Sequence, residues 1–287
     1  MKILIVGARG MLGQALLSEL GIRNLELGVQ VVGLDLQELD ITKEEAVRQK
    51  ILELKPEVVI NTAAYNDVDG AEKNRELAFL INGTAVGYLA QACNEAGALF
   101  VHYSSGYVFA GDNQQGYTEI DQPAPGNVYA ESKYAGEKEA AKAEKYYLIR
   151  TSRLFGKAGV GPTAKKSFVE AILTKAGQVS ELKLVDEEYD SPTYVIDLAR
   201  ATLDLIEQKL PFGVYHRTNS GVCTWYGWGV ELQRLGLIKI PLIPVSGEAF
   251  PRPAKRPKYS QLLSTKLPPL RSWQEALADF LESGITN

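Results

Sequence analysis

Cysteine and histidine are scarce in this chain of 287 residues, which has two of each: Cys93 and Cys223, His102 and His216. Two cysteines cannot build a disulfide framework or a thiolate cluster, and two histidines are too few for a histidine-rich catalytic zinc site, so no metal is expected. An excess of positive charge is also missing. With 31 basic against 35 acidic side chains the net charge is -4, which provides no overall field to draw the chain to nucleic acid or to an anionic membrane. Long apolar runs are absent: nothing nears the ~18 residues of a membrane span, and the apolar run at residues 3–6 is too short for a signal-peptide core. These absences together predict a cytoplasmic protein with no nucleic-acid or membrane partner, and spacing alone does not distinguish a monomer from a homodimer.

What is present is a chain 45% apolar and 23% charged, rich enough in apolar residues to bury a large core. Strand-length apolar runs alternate with helix-period segments, the signature of βαβ units and a parallel sheet covered on both faces. The expected class is therefore α/β, a Rossmann-type doubly wound sheet with a smaller C-terminal substrate lobe. Strands are expected at residues 3–6, 31–34, 58–60, 99–103, 147–149, 183–185 and 214–216. The first helix is expected to stop near Gly21, and the second to open on a capping box of Thr42 and Glu45. A long helix is expected over residues 71–96, and another from Tyr129 to about Lys145. Residues 1–152 with about 193–217 would form the dinucleotide-binding part, and about 153–192 with 218–287 the lobe. In open parallel sheets ligands lie at the carboxyl ends of the strands, where a lobe closes the pocket.

Gly7, Gly10 and Gly13 follow the first strand and open the first helix, where a bare backbone can approach a pyrophosphate at the positive helix end. Asp35 ends the second strand, 22 positions beyond Gly13, where a carboxylate would bond an adenosine ribose. Asp35 suits the free 2′-hydroxyl of NADH, whereas Arg9, inside the loop, suits the 2′-phosphate of NADPH. Both cofactors stay open at this point.

A tyrosine four residues before a lysine puts phenol and ammonium on one helix face, about one turn apart. The cation is expected to lower the phenol's pKa, so that the tyrosine protonates a carbonyl oxygen as hydride reaches the carbon. Two pairs have this spacing, Tyr129/Lys133 and Tyr134/Lys138. Offset by five residues, they lie on separate faces and cannot both meet one cofactor. Tyr129 follows directly on a Pro-Gly-Asn loop and is preferred. A serine hydroxyl sharing the oxyanion would come from Ser105 at the end of the fourth strand, with Ser104 as the competing candidate.

These residues and their surroundings resemble the extended short-chain dehydrogenase/reductase superfamily, and within it the dTDP-4-dehydrorhamnose reductase family. The likeness covers nearly the whole chain: VGARGMLG, DLQELDIT, NTAAYNDVDGAE, VHYSSGYVFAG, NVYAESKYAGE, IRTSRLFG and RPKYSQL. It implies catalysis by Ser105, Tyr129 and Lys133, and a cofactor groove lined by Gly10, Met11, Leu12, Asp35, Asp40, Ile41, Ala63, Ala64, Tyr65 and Tyr103. The implied reaction is NAD(P)H-dependent reduction of the 4-keto group of a nucleotide-linked deoxysugar, with dTDP-4-dehydro-L-rhamnose as first candidate. Departures fall at the substrate side. The family pattern of threonine then aspartate stands here as Ser105 and Gly106, and its tryptophan as Arg153, which would face a phosphate or carboxylate. Related superfamily members imply two alternatives: an epimerase or dehydratase, and a non-catalytic dinucleotide-binding subunit resembling that of methionine adenosyltransferase.

Overall fold

The computed structural model describes residues 1–161 and 167–283. In chain order the N-terminal elements are β1 (Lys2–Val6), α1 (Met11–Leu27), β2 (Gln30–Leu34), α2 (Glu44–Leu54) and β3 (Val58–Asn61). After these come α3 (Val68–Lys73), α4 (Arg75–Phe79), α5 (Ala85–Ala96), β4 (Leu99–Ser105), α6 (Val128–Ala140) and β5 (Tyr146–Thr151). The C-terminal half holds β6 (Leu154–Phe155), α7 (Phe168–Ala176), β7 (Leu182–Val185), β8 (Thr193–Tyr194), α8 (Val195–Glu207) and β9 (Gly213–His216). The last elements are β10 (Asn219–Ser220), α9 (Trp225–Arg234), β11 (Leu242–Val245), β12 (Leu270–Ser272) and α10 (Trp273–Glu282).

Six strands form one sheet in the order β2-β1-β3-β4-β5-β9, and every pairing in it is parallel. Its inner strands read as unbroken apolar runs because both faces are covered. Successive residues of β1 divide between two cores: Ile3 and Ile5 face α1 and α8, while Leu4 and Val6 face α2 and α5. The chain is thus a three-layer α/β fold of the Rossmann type, as expected. No helix among the described residues is long and apolar enough to cross a membrane.

Several elements differ from their sequence pattern for identifiable reasons. Helix α1 runs past Gly21 to Leu27, because a side chain at Gly21 would meet nothing within 4 Å and an exposed helical glycine costs only about 1 kcal/mol. Thr42 does not cap α2. Its N–H and hydroxyl both donate to Asp40 Oδ1, and the N-cap is Lys43, with no side-chain cap bond. The long helix expected over 71–96 is broken into α3, α4, a π-turn at residues 80–84 and α5. Helix α6 ends at Ala140 rather than near Lys145. The strand at 183–185 does not join the main sheet, since β7 pairs with β11 beside it.

The remaining short strands pair as β6 with β8 and β10 with β12. They surround an aromatic cluster in which Phe155, Trp228, Phe280 and Trp273 are buried. From β6 the chain returns to the glycine loop, where Val160 N–H donates to Arg9 O at 2.8 Å. The carboxyl edge of the sheet is therefore bordered by this second body.

Candidate active site

The glycine loop is compact because three side chains are missing. Gly7 has φ +79°, and a Cβ there would lie 2.6 Å from Ala63 N, so only glycine lets β1 leave the sheet beside the turn after β3. A Cβ on Gly13 would lie 2.4 Å from Gly7 O, which fixes the first turn of α1 against the loop. Gly10 N–H donates to Gly7 O and Gln14 N–H to Gly10 O, so the N–H groups of residues 11–13 have no acceptor within α1. They form, with the helix dipole, an anion-binding end. The backbone of Met11 and the buried Leu12 belong to this turn. The absent side chains and the helix N-terminus, with Gly159 packed so close that a Cβ there would lie 2.9 Å from Met11 N, fit a dinucleotide pyrophosphate.

At the end of β2, Asp35 Oδ2 accepts the Arg9 N–H at 2.9 Å and Oδ1 accepts the Leu36 N–H at 2.8 Å. The Arg9 guanidinium turns to the same corner, donating to Gln37 at 2.9 Å and to Glu38 at 2.6 Å. Of the other groove candidates, Asp40 is engaged with Thr42 and Ile41 is buried in the core with Val47 and Leu39. Ala63 and Ala64 form the turn beside Gly7, with Ala63 N–H held by Asn61. Tyr65 is fixed by its backbone, since Asn82 accepts its N–H at 2.8 Å and donates to its carbonyl at 3.0 Å.

Helix α6 starts on Asn127, whose side chain accepts the Ala130 N–H and reaches across to Lys255 O. One residue into the helix, the Tyr129 phenol comes beside the Ser105 hydroxyl, which favours its ionised form, and Ser105 Oγ accepts the Tyr107 N–H at 3.2 Å. One turn later, the Lys133 ammonium donates to Tyr103 O at 2.7 Å. The Tyr103 phenol points elsewhere, into the core, where it bonds Thr202 at 2.8 Å, so Tyr103 offers the site a carbonyl rather than a ring. Ser104 is buried with its hydroxyl unpartnered. Tyr134 and Lys138 form a separate pair, the ammonium 4.8 Å from the ring centre, and Tyr134 packs with Phe109, Tyr117 and Leu262.

The electrostatics correct one expectation. Burial raises the Tyr129 pKa, opposed only by the Ser105 hydroxyl beside it; Lys133 does not draw it down, because its ammonium is turned to the Tyr103 carbonyl. Burial pushes Lys133 itself down to about 8, against the nearby Glu137 carboxylate. That carboxylate is in turn clamped by Arg150 at 2.7 and 2.8 Å in a buried pair. His102 is held well below its usual range by burial and by Lys133, so it is neutral and adds no charge.

Beyond Tyr129 the site becomes more polar. Tyr107 meets the Tyr129 ring edge-on at 6.3 Å and shares an apolar cluster with it and Tyr65. Asp69 holds Arg256 bidentately at 2.7 and 2.9 Å, and Glu188 pairs with Arg252 and accepts the Trp225 indole N–H. Gly106 contributes no side chain, and a Cβ there would lie 2.6 Å from Ser260 O. Arg153, expected to face a substrate anion, has its guanidinium turned inward. It donates to Glu188 O at 2.7 Å and Cys223 O at 3.0 Å, lies 3.5 Å from Asp190 and stacks on Trp225 at 4.1 Å. Its side chain is only 4% exposed; two backbone carbonyls hold its Nη groups, while Nε makes no hydrogen bond. Sequence spacing missed Asn82 and Tyr107. Asn82 lies in the π-turn, where no periodicity marks it, and Tyr107 stands among 14 tyrosines.

A parallel doubly wound sheet with a glycine loop, a strand-end carboxylate and a Ser-Tyr-Lys set on β4 and α6 defines a nicotinamide-dependent oxidoreductase of the short-chain dehydrogenase/reductase kind. The family described as "RmlD substrate binding domain" matches residues 1–285, and this chain belongs to it. A relative from Mycobacterium tuberculosis, dTDP-4-dehydrorhamnose reductase, is 37% identical over 98% of this chain and 92% of its own. The crystal structure of the Bacillus anthracis dTDP-4-dehydrorhamnose reductase in complex with NADP superposes with a TM-score of 0.92 at 36% identity, covering 99% of both chains. That of a Clostridium acetobutylicum dTDP-4-dehydrorhamnose reductase gives 0.91 at 39%, again over 99% of both.

Proposed function

We propose that this chain reduces the 4-keto group of a dTDP-linked deoxysugar, with dTDP-4-dehydro-L-rhamnose to dTDP-L-rhamnose as the first candidate, using NADPH or NADH. The observation that carries the reading is the placing of the Tyr129 phenol beside Ser105 at the end of β4, with Lys133 one turn further along α6. The bound nicotinamide supplies hydride to the carbonyl carbon. Tyr129 is the acid that gives its proton to the carbonyl oxygen, and its raised pKa keeps that proton on the phenol at neutral pH. Ser105 donates a second hydrogen bond to the developing oxyanion. Lys133, whose ammonium is held on Tyr103 O one turn along α6, would hold the nicotinamide ribose.

The glycines at 7, 10 and 13, with Arg9, Met11 and Leu12, form the pyrophosphate and adenosine end of this groove. Asp35, Asp40, Ile41, Ala63, Ala64, Tyr65 and Tyr103 border the rest. Residues 1–152 with 193–217 act as the dinucleotide-binding part, and 153–192 with 218–287 as the sugar-nucleotide lobe, where Gly106 lets the Ser260 backbone close against the end of β4 and Arg153 stacks on Trp225.

The test is the oxidation of NADPH and of NADH, followed by absorbance, with dTDP-4-dehydro-L-rhamnose and purified protein. Rapid loss of absorbance with formation of dTDP-L-rhamnose is expected. Dinucleotide binding without turnover of this sugar would overturn the substrate assignment.

A further inference from the structure

We propose that Glu38 sets the choice between the two dinucleotides, ranking NADH above NADPH by placing a second carboxylate beside the one arginine able to meet a 2′-phosphate. This rests on the reading that the adenosine ribose lies at the end of β2.

Three groups converge there. Asp35 receives the Arg9 and Leu36 backbone N–H groups, and its remaining lone pairs can accept ribose hydroxyls. Glu38 uses both oxygens, one on the Arg9 guanidinium at 2.6 Å and the other on the Asp35 N–H at 3.1 Å. Gln37 takes the other arm of Arg9 at 2.9 Å.

A ribose with a free 2′-hydroxyl fits this corner without breaking any of these bonds. A 2′-phosphate brings a charge near -2 at neutral pH to a place that, among the described residues, already holds two carboxylates and a single guanidinium. To reach it, Arg9 must leave Glu38 and Gln37. The ion pair itself is a weak restraint, because its side chains are 36% and 41% exposed and exposed ion pairs contribute little. The discrimination therefore comes from the carboxylate that stays behind, anchored by the Asp35 N–H and facing the phosphate. Arg9 alone, at the end of the glycine loop, would favour NADPH; Glu38 reverses its effect.

The experiment is titration calorimetry of the full-length protein with NAD+ and with NADP+, comparing wild type, Glu38→Gln and Glu38→Ala. Gln keeps the length and the acceptor for the Asp35 N–H but removes the charge. Wild type is expected to bind NAD+ more tightly. Both variants should shift the affinity ratio toward NADP+ by about tenfold, less at high salt, since exposed charges are screened over about 10 Å at 0.1 M. An unchanged ratio in both variants, or a wild type that prefers NADP+, overturns the role of Glu38 while leaving the dinucleotide groove in place. Failure of both dinucleotides to bind wild type overturns the groove assignment and this inference with it.

Discussion

Burial shifts two titratable groups on α6, Tyr129 and Lys133, in opposite directions. It keeps Tyr129 protonated, and it brings Lys133 from an ordinary 10.5 down to about 8. Removing the acid without disturbing the groove isolates the first effect. Tyr129→Phe is expected to cut turnover by about a hundredfold or more with dinucleotide affinity nearly unchanged, while Tyr134→Phe, whose ring packs beside Lys138 and Phe109, leaves turnover within a few-fold. Equal losses in steady-state kinetics would put the chemistry on the wrong tyrosine. The second effect appears in the pH profile. Lys133 is an ammonium below about 8 and an amine above it, so turnover should fall as pH rises through that value. Stability moves the other way. The folded pKa lies below the unfolded one, so between about 8 and 10.5 the unfolded chain binds more protons and stability rises with pH. The rise amounts to roughly 3 kcal/mol at most, and denaturant titrations at pH 7 and pH 10 should show it in wild type and lose it in Lys133→Met. The Tyr-x-x-x-Lys spacing offered two readings. Sequence could not rank them by energy, because only packing reveals that one phenol meets Ser105 and the other meets apolar neighbours.

At the scale of elements, the strands and the first turns were legible because period-2 and unbroken apolar runs are local, and glycine loops mark themselves. The break in the 71–96 segment was not legible. Its apolar spacing suits one long helix, yet Asn74 leaves helical geometry with φ -121°, and a π-turn over residues 80–84 rotates α5 relative to α4. The cause is tertiary. Asn82 sits where α6 crosses the turn, donating to Ser132 Oγ at 2.9 Å while also fixing Tyr65, and Ser132 returns a bond to Tyr129 O. The crossing is so close that a Cβ on Gly136 would lie 2.0 Å from Asn82 O. This is the position at which α6 is seated, and a methyl group there must push the helix outward. Gly136→Ala is expected to destabilise the fold by about 1–3 kcal/mol despite the better helix propensity of alanine. It should also lower turnover, because Tyr129 and Lys133 ride on the displaced helix. A thermal melt at or above that of wild type would show that the helix has room to move.

At the scale of the whole molecule, the sheet and the presence of a C-terminal second body could be read from sequence, but the short strands of that body and the charges that join it to the sheet could not. The second body is built from strands of two to four residues, too short for any periodicity, and it is held together by charges distant in sequence. Arg271 on β12 illustrates this. It donates to both oxygens of Asp197 on α8 at 2.8 Å and to Asp279 on α10 at 2.6 Å. Asn219 on β10 donates to the same Asp197 carboxylate at 2.7 Å. One guanidinium thus ties the C-terminal helix to a helix that covers the main sheet. The exposed arm toward Asp279, whose side chain is 43% exposed, contributes little, whereas Asp197 is only 9% exposed. A carboxylate that buried is costly without its partner. Arg271→Leu should therefore lower unfolding stability by about 1–3 kcal/mol. The loss should stem mainly from the stranded Asp197, so adding Asp197→Asn to Arg271→Leu should recover part of it, giving a non-additive double-mutant cycle in chemical denaturation. Additive losses would mean that the aromatic cluster alone holds α10 in place, with Arg271 a surface charge of no consequence for the join.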